Sequence, residues 1–324
     1  MMNNILFCSA GRRVKLIKNF KTTLGEDIKV VVADNSNLAP TVYIADKNYI
    51  VPKIYDENYI DVIIDICKKE DINIVCTLID PEIKILADNR EKFEELGILL
   101  MVPSSKTAEL CFDKYKMFNY LKENNIKTVT TYGTIEEFEN NKDNVDFPVF
   151  VKPRTGSGSV GARKVTNMET LKELFEEDNT LIIQELMTEK DLDADVYVDT
   201  ISGEVISTFL KNKLETKIGG ANKTVAFKDD KLNNFIKDIV SKFEFKGTIN
   251  MDFFKKNGEY YLSEINPRFG GGYIHPYAAG VDFIKYLVNN SNGKVNIPAI
   301  GEYDEGSMMM MYDDIIFVKP EDIK

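Results

Sequence analysis

The stretch 249-INMDFFKKNGEYYLSEINPRFGGG-272 carries the most information in this chain. Two runs rich in apolar residues, 248–254 and 260–265, flank Lys256-Asn257-Gly258, the composition of a β-hairpin. A three-residue loop with Gly258 in the left-handed conformation predicts that Asp252 stands opposite Leu262. Strand alternation then puts Asp252, Glu264 and Asn266 on one face and leaves Phe253, Leu262 and Ile265 for the core. Three oxygen-bearing side chains on one sheet face suit Mg²⁺ once phosphate oxygens and water join them. The competing reading is a plain solvated face. Arg268, just past the second run, has the fork geometry that bridges phosphate oxygens.

Upstream, the strand-like run 147–153 leads into 152-KPRTGSGSVG-161, where Lys152 precedes Gly156, Gly158 and Gly161, with Ser157 and Ser159 between them. A turn without Cβ atoms lets backbone N–H groups approach phosphate closely. Because the lysine comes before the glycines, this is not the P-loop. Between this turn and the hairpin lie a strand pattern at 181–187, a hairpin at 194–200 and 205–210 around Ser202-Gly203, and a helix at 229–243. Lys211, Lys213, Glu215, Lys217, Gly219 and Gly220 read as a charged loop, either facing a carboxylate substrate or lying on a mobile surface. His275, the one histidine, reads first as a packed residue and second as a group on the substrate side. The run from Met308 to Met311 has no clear reading.

Toward the N-terminus, apolar runs at 5–8, 30–33, 73–78 and 98–102 alternate with helical patterns at 14–24, 60–72 and 82–96. That alternation predicts a parallel, doubly wound, Rossmann-like sheet over residues 1–103. Ser9-Ala10-Gly11-Arg12-Arg13 is not GxGxxG, and Asp34 alone does not make a dinucleotide site, so NAD is not expected. The strand ends remain suited to line a small-molecule crevice. Pro103-Ser104-Ser105 marks a boundary, followed by a helical stretch at 107–123, a run at 126–132 and an acidic amphipathic segment at 135–141.

A chain of 324 residues exceeds what one core organises, so two or three subdomains are expected. A net charge of -11 argues against nucleic acid as a partner. The four scattered cysteines and single histidine offer neither a zinc site nor a disulfide framework. No apolar run is long enough for a bilayer, and the first residues lack a basic leader, so the expectation is a cytoplasmic protein without a membrane partner.

Asp113-Lys114, the run 147–161, Gln184-Glu185 and Glu264-Ile265-Asn266-Pro267-Arg268 together resemble the ATP-grasp superfamily. Within it the chain is similar to stand-alone proteins named for the large subunit of carbamoyl phosphate synthase. The resemblance covers nearly the whole chain, including 5–13, Ile79-Asp80-Pro81-Glu82 and Gly280-Val281-Asp282. It implies a mixed α/β and α+β fold: a Rossmann-like pre-ATP-grasp domain over 1–103, a two-lobed ATP-grasp domain over 104–292, and a tail over 293–324. The small lobe with its flap would span about 112–183 and the large lobe about 184–292.

The resemblance also implies roles. Lys114 and Lys152 would hold the α- and β-phosphates of ATP, and Thr155, Gly156, Ser157, Gly158, Ser159 and Gly161 would close over the triphosphate. Gln184, Glu185 and Leu186 would read adenine through backbone groups, and Asp191, with Glu189 as competitor, would hold the ribose. Asp252, Glu264 and Asn266 would bind two Mg²⁺ ions, with Mn²⁺ as substitute. Arg268, with Lys211 or Lys213, would neutralise the γ-phosphate and an acyl phosphate.

The implied chemistry is activation of a small carboxylate by ATP, then attack by an amine, with ADP and phosphate released. A kinase acting on a carboxylate or carbamate and a non-catalytic nucleotide-binding module are the alternatives. Carbamoyl phosphate formation is not expected, because the chain has one half of the duplicated synthetase and no Cys/His pair for ammonia release. A homodimer is expected by analogy with relatives.

Overall fold

The computed structural model describes residues 4–141, 145–156, 161–217 and 220–324. Its first unit is a five-stranded parallel sheet of β1 (Asn4–Cys8), β2 (Val30–Asp34), β3 (Lys47–Ile50), β4 (Ile72–Thr77) and β5 (Leu99–Leu100), in the order β3-β2-β1-β4-β5. Helices α1 (Val14–Leu24), α2 (Tyr59–Lys69), α3 (Asp80–Asp88) and α4 (Arg90–Glu94) connect the strands. β1 is buried along its whole length, as expected of a central strand covered on both faces. The helical pattern at 82–96 divides at Asn89, and the edge strand β3 escaped the sequence reading because only Tyr49 and Ile50 in it are apolar.

Next come α5 (Ser105–Phe112) and α6 (Lys114–Glu123), where the sequence suggested one helix. The chain breaks at Asp113, whose backbone is extended and whose carboxylate accepts the N–H groups of Tyr115 and Lys116. This is N-cap geometry, and it starts a new helix at Lys114. A four-stranded antiparallel sheet follows, built from β6 (Thr131–Tyr132), β7 (Val149–Pro153), β8 (Arg163–Val165) and β9 (Leu181–Glu185) in the order β6-β9-β7-β8. Helices α7 (Ile135–Asn140) and α8 (Met168–Glu177) pack on it around Phe138, Val149, Val151 and Leu171.

The largest sheet contains β10 (Lys190–Val198), β11 (Val205–Lys217), β12 (Gly220–Phe227), β13 (Gly247–Lys256), β14 (Glu259–Asn266) and β15 (Met308–Met310), in the order β14-β13-β10-β11-β12-β15. Helix α9 (Asp230–Val240) buries Leu232, Ile236, Ile239 and Val240, the helical i, i+4, i+7, i+8 spacing. Helices α10 (Ile274–Ala278) and α11 (Phe283–Ser291) follow the last hairpin. The charged segment from Lys211 is strand, not loop: β11 runs to Lys217 and pairs with β12. Met308–Met310 is an edge strand on β12.

The first unit and the large sheet share one core. Phe7, Phe20 and Met101 from the former pack with Tyr197, Phe209, Phe269, Tyr273 and Phe283 from the latter. Phe20 meets Phe269 edge-on at 5.4 Å between ring centroids. Polar ties reinforce the seam: Thr23 Oγ1 donates to Asp282 Oδ2 at 2.9 Å, and Arg13 Nη2 donates to the Phe269 and Gly270 carbonyls. No helix among the described residues is long and apolar enough to cross a membrane.

Candidate active site

The last hairpin differs from the sequence expectation in two places. Its loop is the two-residue Asn257-Gly258, with φ of 52° and 77°, and Lys256 pairs with Glu259. Both positions lie in the left-handed region, as a type I′ turn requires. Further along, Phe253 pairs with Leu262 but Asp252 pairs with Glu264, so Ser263 is an extra residue, a β-bulge. Asp252 therefore faces Glu264 rather than Leu262. The two one-residue offsets cancel in parity, which is why Asp252, Glu264 and Asn266 still share a face.

The ladder extends that face across the sheet. Asp193 on β10 pairs with Asp252 on one side and Lys211 on the other. One step along, Asp195 pairs with Asn250, which pairs with Asn266. Acidic residues two apart on β10 thus meet amides and carboxylates on β13 and lysines on β11. Lys211 is fully buried at 0% exposure and bonds Asp195, with Asp193 Oδ1 at 3.6 Å. Burial pulls its ammonium down, but Asp193 and Asp195 outweigh that and hold it above the ordinary lysine value. Burial raises the Asp193 carboxyl, and Lys211 offsets this in part. Lys213 Nζ bridges Asp252 Oδ1 and Asp191 Oδ1, the latter at 2.9 Å.

The face forms one wall of a cleft of about 620 Å³, within the range of small-molecule sites. β7 and the end of β9 supply another wall, with Phe150, Lys152, Gln184, Glu185, Leu186 and Met187. Val129, Phe150, Leu186, Met187 and Phe254 supply apolar lining suited to a flat heterocycle. Lys152 is half-buried, and desolvation pushes its ammonium down to about 8, with Glu264 opposing. Burial likewise raises the Glu264 carboxyl, against the pull of Lys114 and Lys152. Two cations and a carboxylate therefore share a weakly solvated space, where charge interactions are strong. Lys114, at the start of α6, donates from Nζ to the Gly156 carbonyl at 2.5 Å. Arg154 Nε bonds both Asp113 oxygens, at 2.7 and 2.8 Å, and fixes the base of the glycine-rich turn to that helix start.

Lys114, Lys152, Thr155, Gly156, Gln184, Glu185, Leu186, Asp191, Lys213, Asp252, Glu264, Asn266 and Arg268 all line this cleft. Ser157, Gly158, Ser159 and Gly219 lie outside the described residues. Gly161 and Lys211 are described but do not line it. Lys211 is spent on two aspartates beneath the surface, so it does not face substrate as a loop residue would. Asp191 is engaged by Lys213, and Glu189 accepts the Asn257 N–H at 3.3 Å. His275 is 2% exposed; its Nδ1 lies 2.8 Å from Thr224 Oγ1, and its ring meets Phe209 edge-on. Burial, then Lys211, lowers it to about 4. It is a packed residue away from the cleft, so the substrate-side reading of His275 is corrected.

The donor set fits a hard divalent cation. Asp252 and Glu264 are opposed carboxylates, Asn266 adds an amide oxygen, and no cysteine or histidine lines the cleft. Among the described residues no three acidic, histidine or cysteine side chains form a metal cage by themselves, so phosphate oxygens and water would complete the shell. Lys213 already holds a positive charge against Asp252.

Several lining residues were missed from sequence. Phe150 and Phe254 lie two positions from Lys152 and Asp252, so strand alternation alone could have placed them on the same faces. Asp193 and Asn250 needed the register of β10 against β13. Arg13 comes from the first unit, and no local signal placed it in the cleft. Asp34, at the end of β2, accepts the N–H groups of Gly11 and Ser36 and so braces the loop that carries Arg13.

Comparison with known proteins agrees with this architecture. Residues 111–272 match the family described as ATP-grasp domain, and residues 5–101 match the PylC-like, N-terminal domain. A carbamoyl-phosphate synthase of Methanobrevibacter smithii is 24% identical over 292 residues, 84% of this chain and 77% of that one. A D-alanine--D-alanine ligase of Campylobacter jejuni is 30% identical over 196 residues, 55% of this chain and 56% of that one. The chain thus spans little more than half of that ligase. Among solved structures, N5-carboxyaminoimidazole synthetase from Staphylococcus aureus, complexed with ADP, superposes with a TM-score of 0.76 at 19% identity, over 96% of this chain and 83% of that one.

Proposed function

We propose, from the premise that this chain belongs to the ATP-grasp family, that it is an ADP-forming ligase that joins a small carboxylic acid to an amine. The observation that supports this reading is the convergence of Lys114, Lys152, Asp252, Glu264, Asn266 and Arg268, drawn from three separate parts of the chain, on one cleft. In the proposal, ATP lies with its base among Val129, Phe150, Leu186, Met187 and Phe254 and its phosphates toward Lys114 and Lys152. Asp252, Glu264 and Asn266 would hold two Mg²⁺ ions, or Mn²⁺ in their place, which spread the charge of the transferring phosphoryl group. The domain limits 1–103, 104–292 and 293–324 belong to the same reading.

The protein's own part is positioning and charge. Lys152 offers an ammonium in a partly desolvated space, and Arg268 is oriented by Asp80, whose Oδ2 accepts from Nη2 at 2.9 Å. The carboxylate attacks the γ-phosphorus, the bond to the β-phosphate oxygen breaks, and ADP leaves. The amine then displaces phosphate from the acyl phosphate and loses a proton. No protein nucleophile is needed, and the glycine-rich stretch that follows Lys152 in sequence would shield an acyl phosphate from water. A screen for ADP release with small acids and amines, singly and paired, tests this. Release that requires both supports ligation, and release with acid alone would replace it with a kinase reading.

A further inference from the structure

We infer that Arg13, beside Arg268, forms a seat for an anionic group, carboxylate or phosphate, that belongs to the amine substrate and does not itself react. This rests on the ligase reading above. Arg13 sits at the N-cap of α1, at the end of the loop that leaves β1, and lines the cleft although every other cationic lining residue comes from beyond residue 110. Its Nη2 donates to the Phe269 carbonyl at 2.9 Å and the Gly270 carbonyl at 2.6 Å, fixing the guanidinium beside the segment that carries Arg268.

Of the two guanidinium groups in the cleft, only Arg268 is paired, and Arg13, like Lys114 and Lys152, has no carboxylate at ion-pair distance among the described residues. Arg268 has Asp80 at 2.9 Å and Lys213 has Asp191 and Asp252. The Arg13 Nη2 bonds are to neutral carbonyls. A weakly solvated cation next to a second cation is unfavourable unless an anion joins them. Burial, then the charge of Arg268, lowers the Arg13 guanidinium to about 10, with Asp195 and Asp80 opposing from beyond ion-pair distance. Arg268 Nε is also buried with no partner among the described residues. Guanidinium groups bind carboxylate and phosphate oxygens through paired N–H donors. Gly271, at the same end of the cleft, has open space where a Cβ would stand, leaving room for such a group.

In the ligase reading Arg268 serves the γ-phosphate and the acyl phosphate, while Lys152 and the acidic face serve the nucleotide and its metal ions. A fixed guanidinium contributed by the first unit therefore serves a different charge. In an amine substrate this is the α-carboxylate of an amino acid or the phosphate of a phosphorylated amine.

The test measures ADP release by the full chain with Mg-ATP, a mixture of small carboxylic acids, and three classes of amine: α-amino acids, their α-carboxamides, and O-phosphoethanolamine. The expected result is turnover with at least one anionic class and kcat/KM at least about tenfold lower with carboxamides. Arg13→Gln should raise KM for the anionic amine about 10- to 100-fold with kcat little changed. It should affect carboxamides far less, and Arg13→Lys should keep part of the affinity. A preference for α-amino acids or for O-phosphoethanolamine identifies the source of the anion. Equal losses for charged and uncharged amines would reduce Arg13 to a tie between the two units and overturn the seat. Equal use of carboxamides by the wild type, or Mg-ATP binding without stimulation by any anionic amine, would also overturn it. Titration with Mg-ATP alone separates the two ideas, because failure to bind Mg-ATP sinks the ligase reading itself.

Discussion

Asp252 and Glu264 stand directly opposite each other on neighbouring strands because Ser263 bulges out of the ladder between Glu264 and the turn. In a regular ladder Asp252 would face Ser263, and Glu264 would point to the core side with Leu262. The bulge at Ser263 thus decides whether two carboxylates share a face, and bulges recur beside active sites for this reason.

Glu264→Gln should therefore remove Mg²⁺-dependent turnover, with kcat/KM down by about 10² to 10³ or more. The fold should persist, since a neutral amide is easier to bury than a carboxylate already pushed up by desolvation. ADP release and circular dichroism on the same preparation check both halves.

Lys152 sets an alkaline limit on nucleotide binding. Its pKa is lowered to about 8, so the ammonium is present below that pH and lost above it. ADP affinity should fall as pH rises through about 8, with the midpoint in the complex displaced upward because bound phosphate favours the charged form. Calorimetric titrations from about pH 7 to pH 9 should show this slope in the wild type. Lys152→Met should flatten it.

Lys211→Ala should be among the most destabilising single changes. It leaves Asp193 and Asp195 buried without their cation, and breaking such a pair costs about 3–5 kcal/mol. Adding Asp195→Asn should recover part of the loss. Denaturant midpoints for the single and double variants measure it.

Gly270→Ala tests the close approach behind Arg268. A Cβ there would lie 2.8 Å from Asn250 Cγ and Asp195 Oδ1. Overpacking of this kind costs about 1–3 kcal/mol, so the thermal midpoint should fall. Arg13 and Arg268 flank the displaced segment, and turnover should fall with it.

Asp113→Ala removes the cap of α6 and the partner of Arg154 together. The cap is worth about 0.5–2 kcal/mol. KM for ATP should rise as well, because Lys114 is the first residue of that helix. An unchanged KM would separate the cap from the site.

The hairpin and the alternating N-terminal pattern were legible because each is local. Strand alternation, turn chemistry and strand–helix alternation act over a few residues. Helix breaks at Asn89 and Asp113 were not, since apolar periodicity runs across them and only backbone conformation stops it. The segment after Lys211 read as loop because its lysines and glutamate look solvated. In the structure β11 carries them alongside β10 and β12, and Lys211 is neutralised by aspartates 16 and 18 residues earlier.

By itself the sequence determined the class of fold and the family resemblance, and through them about half of the residues that line the cleft, because those depend on residue type, local spacing and motif order. Only the tertiary structure decided which of these residues touch. It removed Lys211 and His275 from the cleft, bound Lys213 to Asp252, set Asp252 against Glu264 through a bulge, and brought Arg13 from the first strand–helix loop to Arg268. The physical reason is that burial and charge pairing are properties of neighbours in space. A lysine on one strand acquires its meaning from the aspartates on the next, and strand register is set by turns and bulges too small to be read from composition.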